Sequence, residues 1–235
     1  MPTFLEIEGK IVEGVFRKRL TRFSAQVEIG GKNVECFLPD PGRLSELLFS
    51  GVRVVLKDVG AVGNRKTIYD LVGVYHGDRV VSVDARIPNK LVFEALKNGD
   101  LPEFLGYTVI KPEHSYGRAK FDFLLNGFGL KPCLLEIKSC TLVRDGVAMF
   151  PDAPTERGAR HVLELAKALM DDYRAAVLFV IQRDDAYKFT ANDEVDPKFG
   201  RALREAYKRG VEVYAYSASF VKDRVWLDGK VEVVL

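Results

Sequence analysis

Residues 121–138 read FDFLLNGFGLKPCLLEIK, two short apolar stretches joined by a glycine-containing turn. The composition of both stretches, FDFLL and CLLEIK, is typical of β-strands. Asp122 lies inside the first strand, and Glu136 and Lys138 lie inside the second. An ionised carboxylate in an apolar strand is strongly destabilising unless it is paired. These residues therefore require either a local charge partner or a bound cation.

Strand geometry brings the charged groups together. Residues two apart point to the same face of a strand, so Glu136 and Lys138 project together while Ile137 projects into the core. If the strand that carries Asp122 is the neighbouring one, its carboxylate reaches the same place. Two converging carboxylates form a hard-oxygen site suited to Mg²⁺ or Mn²⁺, with the carbonyl of Ile137 as a third ligand.

This arrangement suits hydrolysis of a phosphodiester. A metal at Asp122 and Glu136 would lower the pKa of a bound water and polarise the phosphate. Lys138 would orient the water or neutralise charge on the phosphoryl group. The alternative interpretation is a structural Glu–Lys pair at a solvated sheet edge.

Residues 86–235 are predicted to form an α/β domain around a mixed sheet, because helical and strand patterns alternate along them. Asn89 is the expected N-cap of the first helix. The predicted helices are Lys90–Lys97, Thr155–Leu169 and Asp196–Lys208. The predicted strands are Tyr107–Ile110, Phe121–Leu125, Cys133–Lys138, Ala175–Ile181 and Val211–Tyr216.

Residues 1–85 are predicted to form a small OB-like β-barrel. Several short runs alternate apolar and polar residues, and Gly30–Asn33 is a natural hairpin turn between two of them. Leu44–Phe49 is the expected short helix of this domain. The fold class is therefore α/β (α+β), with an N-terminal barrel before the mixed-sheet domain.

The barrel contains a candidate nucleic-acid-binding segment, FRKRLTRF, at residues 16–23. Its basic residues lie between two phenylalanines, which suits a groove in which phosphates pair and bases stack. A charged hairpin on a soluble barrel is the alternative. The loop Pro39–Arg43 is a second candidate phosphate contact. The predicted contacts of the barrel are Arg17, Lys18, Arg19, Arg22 and Arg43.

Asp122 followed by Glu136-Ile137-Lys138 resembles the D…(D/E)-x-K motif of restriction-endonuclease-like nucleases. In that superfamily the preceding helix often supplies another acid, which the resemblance places at Glu94; the alternative is an exposed residue paired with lysines. The helix after the motif often supplies polar or basic groups. Arg157, Arg160 and His161 are the matching candidates for phosphate contact, against an ordinary solvated helix face.

A closer resemblance involves five motifs that follow one another along the chain. They are FLPDPGRLSELL (37–48), NKLVFEAL (89–96), FDFLL (121–125), EIKSCTL (136–142) and FPDAPTERGARH (150–161). These motifs resemble the sugar fermentation stimulation protein A family. The resemblance implies an OB-like domain, a nuclease-like domain and DNA binding, but it leaves catalysis open.

The composition and the absence of several motifs exclude some classes of protein. The net charge of +2 neither requires nor excludes a nucleic-acid partner. We find no signal peptide, no membrane span and no metal-binding cysteine spacing, so we expect a cytoplasmic protein. No P-loop, dinucleotide fingerprint or HExxH motif is present. Scarce amides and abundant Lys, Arg, Glu and Val give a thermophile-like composition.

Two functions remain in competition. The first is DNA binding with Mg²⁺-dependent phosphodiester hydrolysis, in which Asp122, Glu136 and Lys138 are catalytic and Glu94 assists. The second is a non-catalytic DNA-binding regulator, with a role in sugar utilisation implied by the family resemblance. RNA remains a possible alternative to DNA.

Overall fold

A computed structural model describes residues 2–61 and 65–235 of the chain. The first part contains β1 (Phe4–Glu6), β2 (Lys10–Thr21), β3 (Ser24–Ile29), β4 (Lys32–Phe37), β5 (Arg53–Asp58), β6 (Tyr69–His76) and β7 (Arg79–Ser82). The second part contains α1 (Ile87–Asn98), β8 (Val109–Tyr116), β9 (Ala119–Asn126), β10 (Cys133–Cys140), β11 (Val143–Arg144), β12 (Val147–Phe150), α2 (Glu156–Ala168), β13 (Arg174–Ile181), β14 (Lys188–Ala191), α3 (Pro197–Lys208), β15 (Glu212–Val221), β16 (Arg224–Lys230) and β17 (Glu232–Val233). Short 3₁₀ helices span Pro102–Phe104 and Leu169–Asp171.

Strands β2 to β6 form a closed barrel. Their order is β4-β3-β2-β5-β6, and a parallel pairing of Phe37 with Asp70 joins β4 back to β6. The expected helix at Leu44–Phe49 is wrong, because this segment contains only a turn. Leu44 has a φ of 51°, which no α-helix permits, and its side chain is buried in the barrel core with that of Leu47.

The second part is an α/β sandwich around a mixed sheet. Strands β10, β13 and β15 are parallel, while β8 and β9 extend the sheet in antiparallel fashion beyond β10. Helix α1 packs on one face, and α2 and α3 pack together on the other. The two faces therefore carry separate apolar cores, with the candidate residues between them.

Helix α1 begins earlier than expected, so Asn89 is not its N-cap. The helix starts at Ile87 after Arg86, with Pro88 in its first turn. Proline suits this position because its missing N–H has no intrahelical acceptor. The helix ends at Gly99, whose φ of 74° is the left-handed conformation that glycine adopts readily.

The two parts share one large sheet. Strand β7 pairs with β15 through Val80 and Phe220, and β1 pairs with β16 through Phe4 and Trp226. The segment nearest the N-terminus therefore lies against the second part rather than in the barrel. The division into residues 1–85 and 86–235 stays a prediction.

A second, four-stranded sheet has the order β11-β12-β14-β17, and the sequence pattern does not predict it. Across residues 2–61 and 65–235, no helix combines the length and apolar character needed to cross a bilayer.

Candidate functional site

Asp122 is held between two structural elements. Its Oδ2 accepts a hydrogen bond of 2.7 Å from the backbone N–H of Ile137 on the neighbouring strand. Its Oδ1 accepts one of 2.6 Å from the Asn89 side chain on α1. Burial raises the pKa of Asp122 to about 6, and the charge of Glu136 acts in the same direction.

The side chains of β9 change face at Asp122. Phe121 packs into the core under α2, whereas Phe123 packs into the core under α1. Glu113, which faces Asp122 across the β8–β9 register, has a φ of 57°. This irregularity leaves the Asp122 carboxylate close to both β10 and α1.

Glu136 is almost fully buried, with an exposure of 3%. Its Oε1 accepts hydrogen bonds from Lys138 and, at 2.6 Å, from Nδ1 of His161. Burial raises the pKa of Glu136, but the His161 hydrogen bond and the Lys138 charge outweigh burial and hold the pKa below its ordinary value. The second carboxylate oxygen, Oε2, is buried and has no hydrogen-bond partner within the described part of the chain.

His161 supports Glu136 and does not face solvent. Its exposure is 2%, so the prediction that it contacts nucleic acid is wrong. Nε2 of His161 accepts a hydrogen bond of 3.3 Å from Nε of Arg157. Since Nε2 accepts this hydrogen bond, Nδ1 carries a hydrogen, and the Nδ1–H group donates the hydrogen bond to Oε1 of Glu136.

Glu94 lies near Asp122 without contacting it. Both residues line a cleft of about 400 Å³ on the α1 side of the sheet. The carboxylate of Glu94 pairs with Lys97 at 2.9 Å, one turn further along the helix. The structure therefore shows the lysine pairing that was the alternative interpretation and still places Glu94 beside the candidate site.

The residues at this site fit a divalent cation in their chemistry. Glu136 Oε2 is a buried carboxylate oxygen without a partner, a costly arrangement that a cation would relieve. Asp122 offers a second carboxylate nearby. Among residues 2–61 and 65–235, however, no three His, Cys, Asp or Glu side chains converge closely enough to form a ready-made metal cluster. The carbonyl of Ile137 as a ligand stays a prediction.

The basic residues of the barrel divide into paired and exposed ones. Arg17 pairs with Glu28 at 2.6 Å. The guanidinium of Arg19 donates to the backbone carbonyls of Asp40 and Arg22 at 2.8 and 2.6 Å. Further acceptors for it are the carbonyls of Thr21, Gly42 and Arg43. The exposed members of the set are Lys18, Arg22 and Arg43.

The aromatic pair of the basic segment does not form a stacking platform. Phe16 has an exposure of 3% and belongs to the barrel core, so the expectation that bases stack on it is wrong. Phe23 is 45% exposed, and the guanidinium of Arg22 lies 5.5 Å from its ring centroid. On α2, Arg157 and Arg160 are both exposed, as a phosphate contact requires.

The sequence patterns do not predict the roles of two residues, one at the carboxylate site and one between the barrel and the α/β part. Asn89 has the pattern of a helix cap, but its side chain holds Asp122. Asp152 stands out in no pattern of its own, yet its carboxylate accepts a hydrogen bond of 3.2 Å from the backbone of Leu44 and so joins the barrel to the α/β part. Both residues lie in motifs of the family resemblance, which is the one signal that points to them.

Two family models match most of the chain. The family model described as the sugar fermentation stimulation protein RE domain matches residues 86–224. A second model, described as the SfsA N-terminal OB domain, matches residues 18–83. The chain belongs to the sugar fermentation stimulation protein family. This result confirms the predicted family, the OB-like barrel and the restriction-endonuclease-like domain.

Relatives in the sugar fermentation stimulation protein family match over nearly their whole length. A homologue from Caldanaerobacter subterraneus subsp. tengcongensis is 47% identical over 97% of this chain and 99% of its own. One from Clostridium perfringens is 40% identical over 98% of this chain and 100% of its own. The solved SfsA structure from Pyrococcus furiosus, in complex with Ca²⁺, is 28% identical, covers 100% of both chains and has a TM-score of 0.90.

Proposed function

We propose that this protein is a divalent-metal-dependent nuclease that acts on DNA. The observation that carries the proposal is the buried Glu136 Oε2 without a partner, on the strand next to Asp122. A sheet that positions two carboxylates in this way, and leaves one oxygen unsatisfied, is suited to a hard cation. The related Pyrococcus furiosus protein was solved with Ca²⁺, which supports a site of this class.

The residues of the chain would divide the work as follows. Asp122 and Glu136 would hold Mg²⁺ or Mn²⁺, which supplies Lewis acidity and a bound water of lowered pKa. Lys138 lies against Glu136, where its ammonium would neutralise charge on the scissile phosphate. Asn89 and His161 fix the orientations of the two carboxylates.

Binding would use the exposed cations on both parts of the molecule. Lys18, Arg22 and Arg43 lie on the barrel, and Arg157 and Arg160 lie on α2. Contacts to phosphates position a nucleic acid without reading its sequence. We therefore propose that the barrel, within residues 1–85, binds the strand while residues 86–235 cleave it in the cytoplasm.

A non-catalytic DNA-binding regulator is the second candidate, and it is favoured by the pairing of Oε1 of Glu136 within the protein. The charge of this carboxylate is already compensated by Lys138 and by the His161 hydrogen bond. A structural pair of this kind needs no cation. Because a fold does not fix a function, the two candidates must be separated by experiment.

The deciding experiment compares wild type with Glu136→Gln on labelled single-stranded, duplex and branched DNA, and on RNA of the same sequence. Each substrate is incubated with Mg²⁺, with Mn²⁺ and with a chelator. Metal-dependent cleavage that is lost in Glu136→Gln, with DNA affinity kept or improved, is the expected result. Glu194→Gln is the matched control, because Glu194 is exposed and pairs with Arg144 at 2.9 Å. Tight binding without cleavage on every substrate would favour the regulator.

A further inference from the structure

The cleft that Asp122 and Glu94 share exposes mainly apolar surface. Its walls include Leu5, Phe93, Pro112 and Phe123, and its volume is about 400 Å³. This volume lies within the range of sites that hold small organic groups. Because this apolar cleft lies beside the candidate site for phosphodiester hydrolysis, it suits a part of the substrate that carries no charge.

Aromatic rings form the main wall of the cleft. The rings of Phe93 and Phe123 stack with centroids 6.1 Å apart and an interplanar angle of 24°. Phe123 is buried, whereas Phe93 is only partly buried. Nζ of Lys97 lies 5.3 Å from the Phe93 centroid. A partly exposed, buttressed aromatic ring is the usual platform on which an unpaired nucleobase stacks.

The polar groups of the cleft suit a heterocycle. Its lining contributes the carboxylates of Glu94, Glu113 and Asp122, of which Glu94 and Glu113 pair with Lys97 and Lys120 at 2.9 and 2.8 Å. A base is neutral and offers amino groups from which carboxylate oxygens accept hydrogen bonds. Asp122 also belongs to the candidate metal site, so an occupant of the cleft would lie next to a phosphodiester bound at that site.

We propose that this cleft takes one unpaired nucleobase, stacked on Phe93, of the DNA strand whose phosphate lies at Asp122. The proposal rests on the proposed function and specifies its substrate: a strand that is single, frayed or locally unpaired. A base of an intact duplex cannot stack on Phe93, because its neighbours in the duplex already cover both of its faces. Removing the base at this position therefore weakens binding, although every phosphate remains.

The test uses the full chain carrying Glu136→Gln in Mg²⁺, because this variant is expected to keep its DNA affinity and to lose cleavage. A set of duplexes with a short single-stranded overhang, in which the duplex end fixes the register, carries an abasic site at each overhang position in turn, and fluorescence anisotropy gives the dissociation constants. We expect one position at which loss of the base weakens binding by about 5- to 100-fold, the scale of base–aromatic stacking. An equal effect at all positions would overturn the proposal.

Substitutions at Phe93 connect that position to the cleft. In the same background, Phe93→Leu should weaken binding of the intact strand to the level of the abasic one, with no further loss on the abasic strand. Phe93→Tyr keeps the ring and should keep the affinity, which guards against a folding defect in the leucine variant. Phe128→Leu is the control, because Phe128 is fully exposed in the turn between β9 and β10, outside the cleft.

The outcomes separate this proposal from the proposed function. Binding with one sensitive position, but no cleavage by wild type in Mg²⁺ or Mn²⁺, would overturn the nuclease and support the base site. Cleavage by wild type with uniform abasic effects would overturn the base site alone. Failure of wild type to bind any DNA would overturn both.

Discussion

Asp40 shows how a single carboxylate makes the stability of this protein depend on pH. Its exposure is 7%, and its Oδ1 accepts a hydrogen bond of 2.7 Å from the N–H of Gly42. Burial raises the pKa of Asp40 to about 6, and the neighbouring Asp152 adds to the shift although the Gly42 hydrogen bond opposes it. Ionised Asp40 therefore destabilises the fold at neutral pH.

Asp40→Asn should stabilise the protein at pH 7.5 by about 2 kcal/mol. The amide oxygen keeps the bond from Gly42, and the amide N–H₂ replaces a charge near Asp152. The folded pKa is raised above the unfolded value, so the wild-type penalty grows as pH rises from about 4 to about 6. Urea unfolding at pH 7.5 and 4 measures this: the gain should disappear at pH 4, and an equal gain at both values would contradict it.

His161 is the residue on which the buried Glu136 depends. His161→Leu removes the hydrogen-bond donor to Glu136 and the acceptor of the Arg157 hydrogen bond. We therefore expect the unfolding free energy at pH 7.5 to fall by about 3 kcal/mol. Glu136 has a lowered folded pKa, so its stabilising contribution is present above its unfolded pKa and is lost in acid. The deficit of the variant should therefore shrink below about pH 4.

The conservative substitution His161→Asn provides the comparison. Its side-chain amide can donate in place of Nδ1, so it should recover part of the stability that leucine loses. Chemical denaturation of both variants and of wild type decides the matter. Equal stability of the leucine and asparagine variants would show that the His161–Glu136 hydrogen bond contributes nothing.

At the scale of elements, the loop Asp40–Arg43 is held by one guanidinium from β2. Arg19 donates to carbonyls of this loop and of the turn at Arg22. Gly42 is needed beside it, because a Cβ there would lie 2.5 Å from Oδ2 of Asp152. Directly after the loop, the backbone N–H of Leu44 donates to the Asp152 carboxylate, which joins the barrel to the α/β part.

Substitution of the hydrogen-bonded Arg19 should affect stability, whereas substitution of the exposed Lys18 and Arg43 should affect DNA binding. Arg19→Gln should lower the unfolding free energy by about 2 kcal/mol, because it leaves the partly buried carbonyls of Asp40 and Gly42 without this donor. Lys18→Gln with Arg43→Gln should leave stability unchanged, since both side chains are exposed. That pair should instead weaken duplex binding and flatten its logarithmic salt dependence by about 0.9 for each phosphate that the variant no longer neutralises.

Urea titrations and binding isotherms over a range of salt concentrations test the two halves of this prediction. If Arg19→Gln changes only the salt slope, its guanidinium binds phosphate and does not anchor the loop. If the Lys18 and Arg43 pair changes neither affinity nor slope, this side of the barrel is not a binding surface.

Helices and strands could be predicted where a capping residue or a continuous apolar run identifies them in the sequence. Helices α2 and α3 begin where expected because Thr155 and Asp196 cap them, and the apolar β13 indicated a buried central strand. The strands of the second sheet have only two to four residues, too few to display alternation.

The candidate site was predictable in part for a related reason. Strand spacing alone placed Glu136 and Lys138 on one face and Ile137 in the core, as observed. The roles of Asn89 and His161 depend on helices that approach from opposite faces of the sheet, and no local pattern encodes that approach. Burial of Phe16 likewise depends on the barrel closing around it.

At the scale of the molecule, the two parts are joined by paired strands as well as by a linker. Strand β7 pairs with β15, β1 pairs with β16, and Ile7 packs into the core under α1. Domains that share a sheet lose backbone hydrogen bonds if one unfolds alone. The barrel and the α/β part should therefore behave as one cooperative unit.

Scanning calorimetry should show a single unfolding transition for the full chain, and Ile7→Ala should lower its midpoint without splitting it. The expected loss is about 3 kcal/mol, because the side chain is buried at 6% exposure. Phe4→Ala is the comparison, since Phe4 is 39% exposed and should cost less. Two separated transitions in wild type would show that the shared sheet does not couple the parts.

The pairing of β1 with β16 also bears on how the chain is made. Phe4 leaves the ribosome long before its partner Trp226, by about 10 to 40 s at ordinary rates of translation. The barrel can close early in that interval, but β1 must wait with its backbone donors and acceptors unpaired. An unpaired strand is open to pairing with other chains, so slow translation or crowding of nascent chains should lower the yield of correctly folded protein.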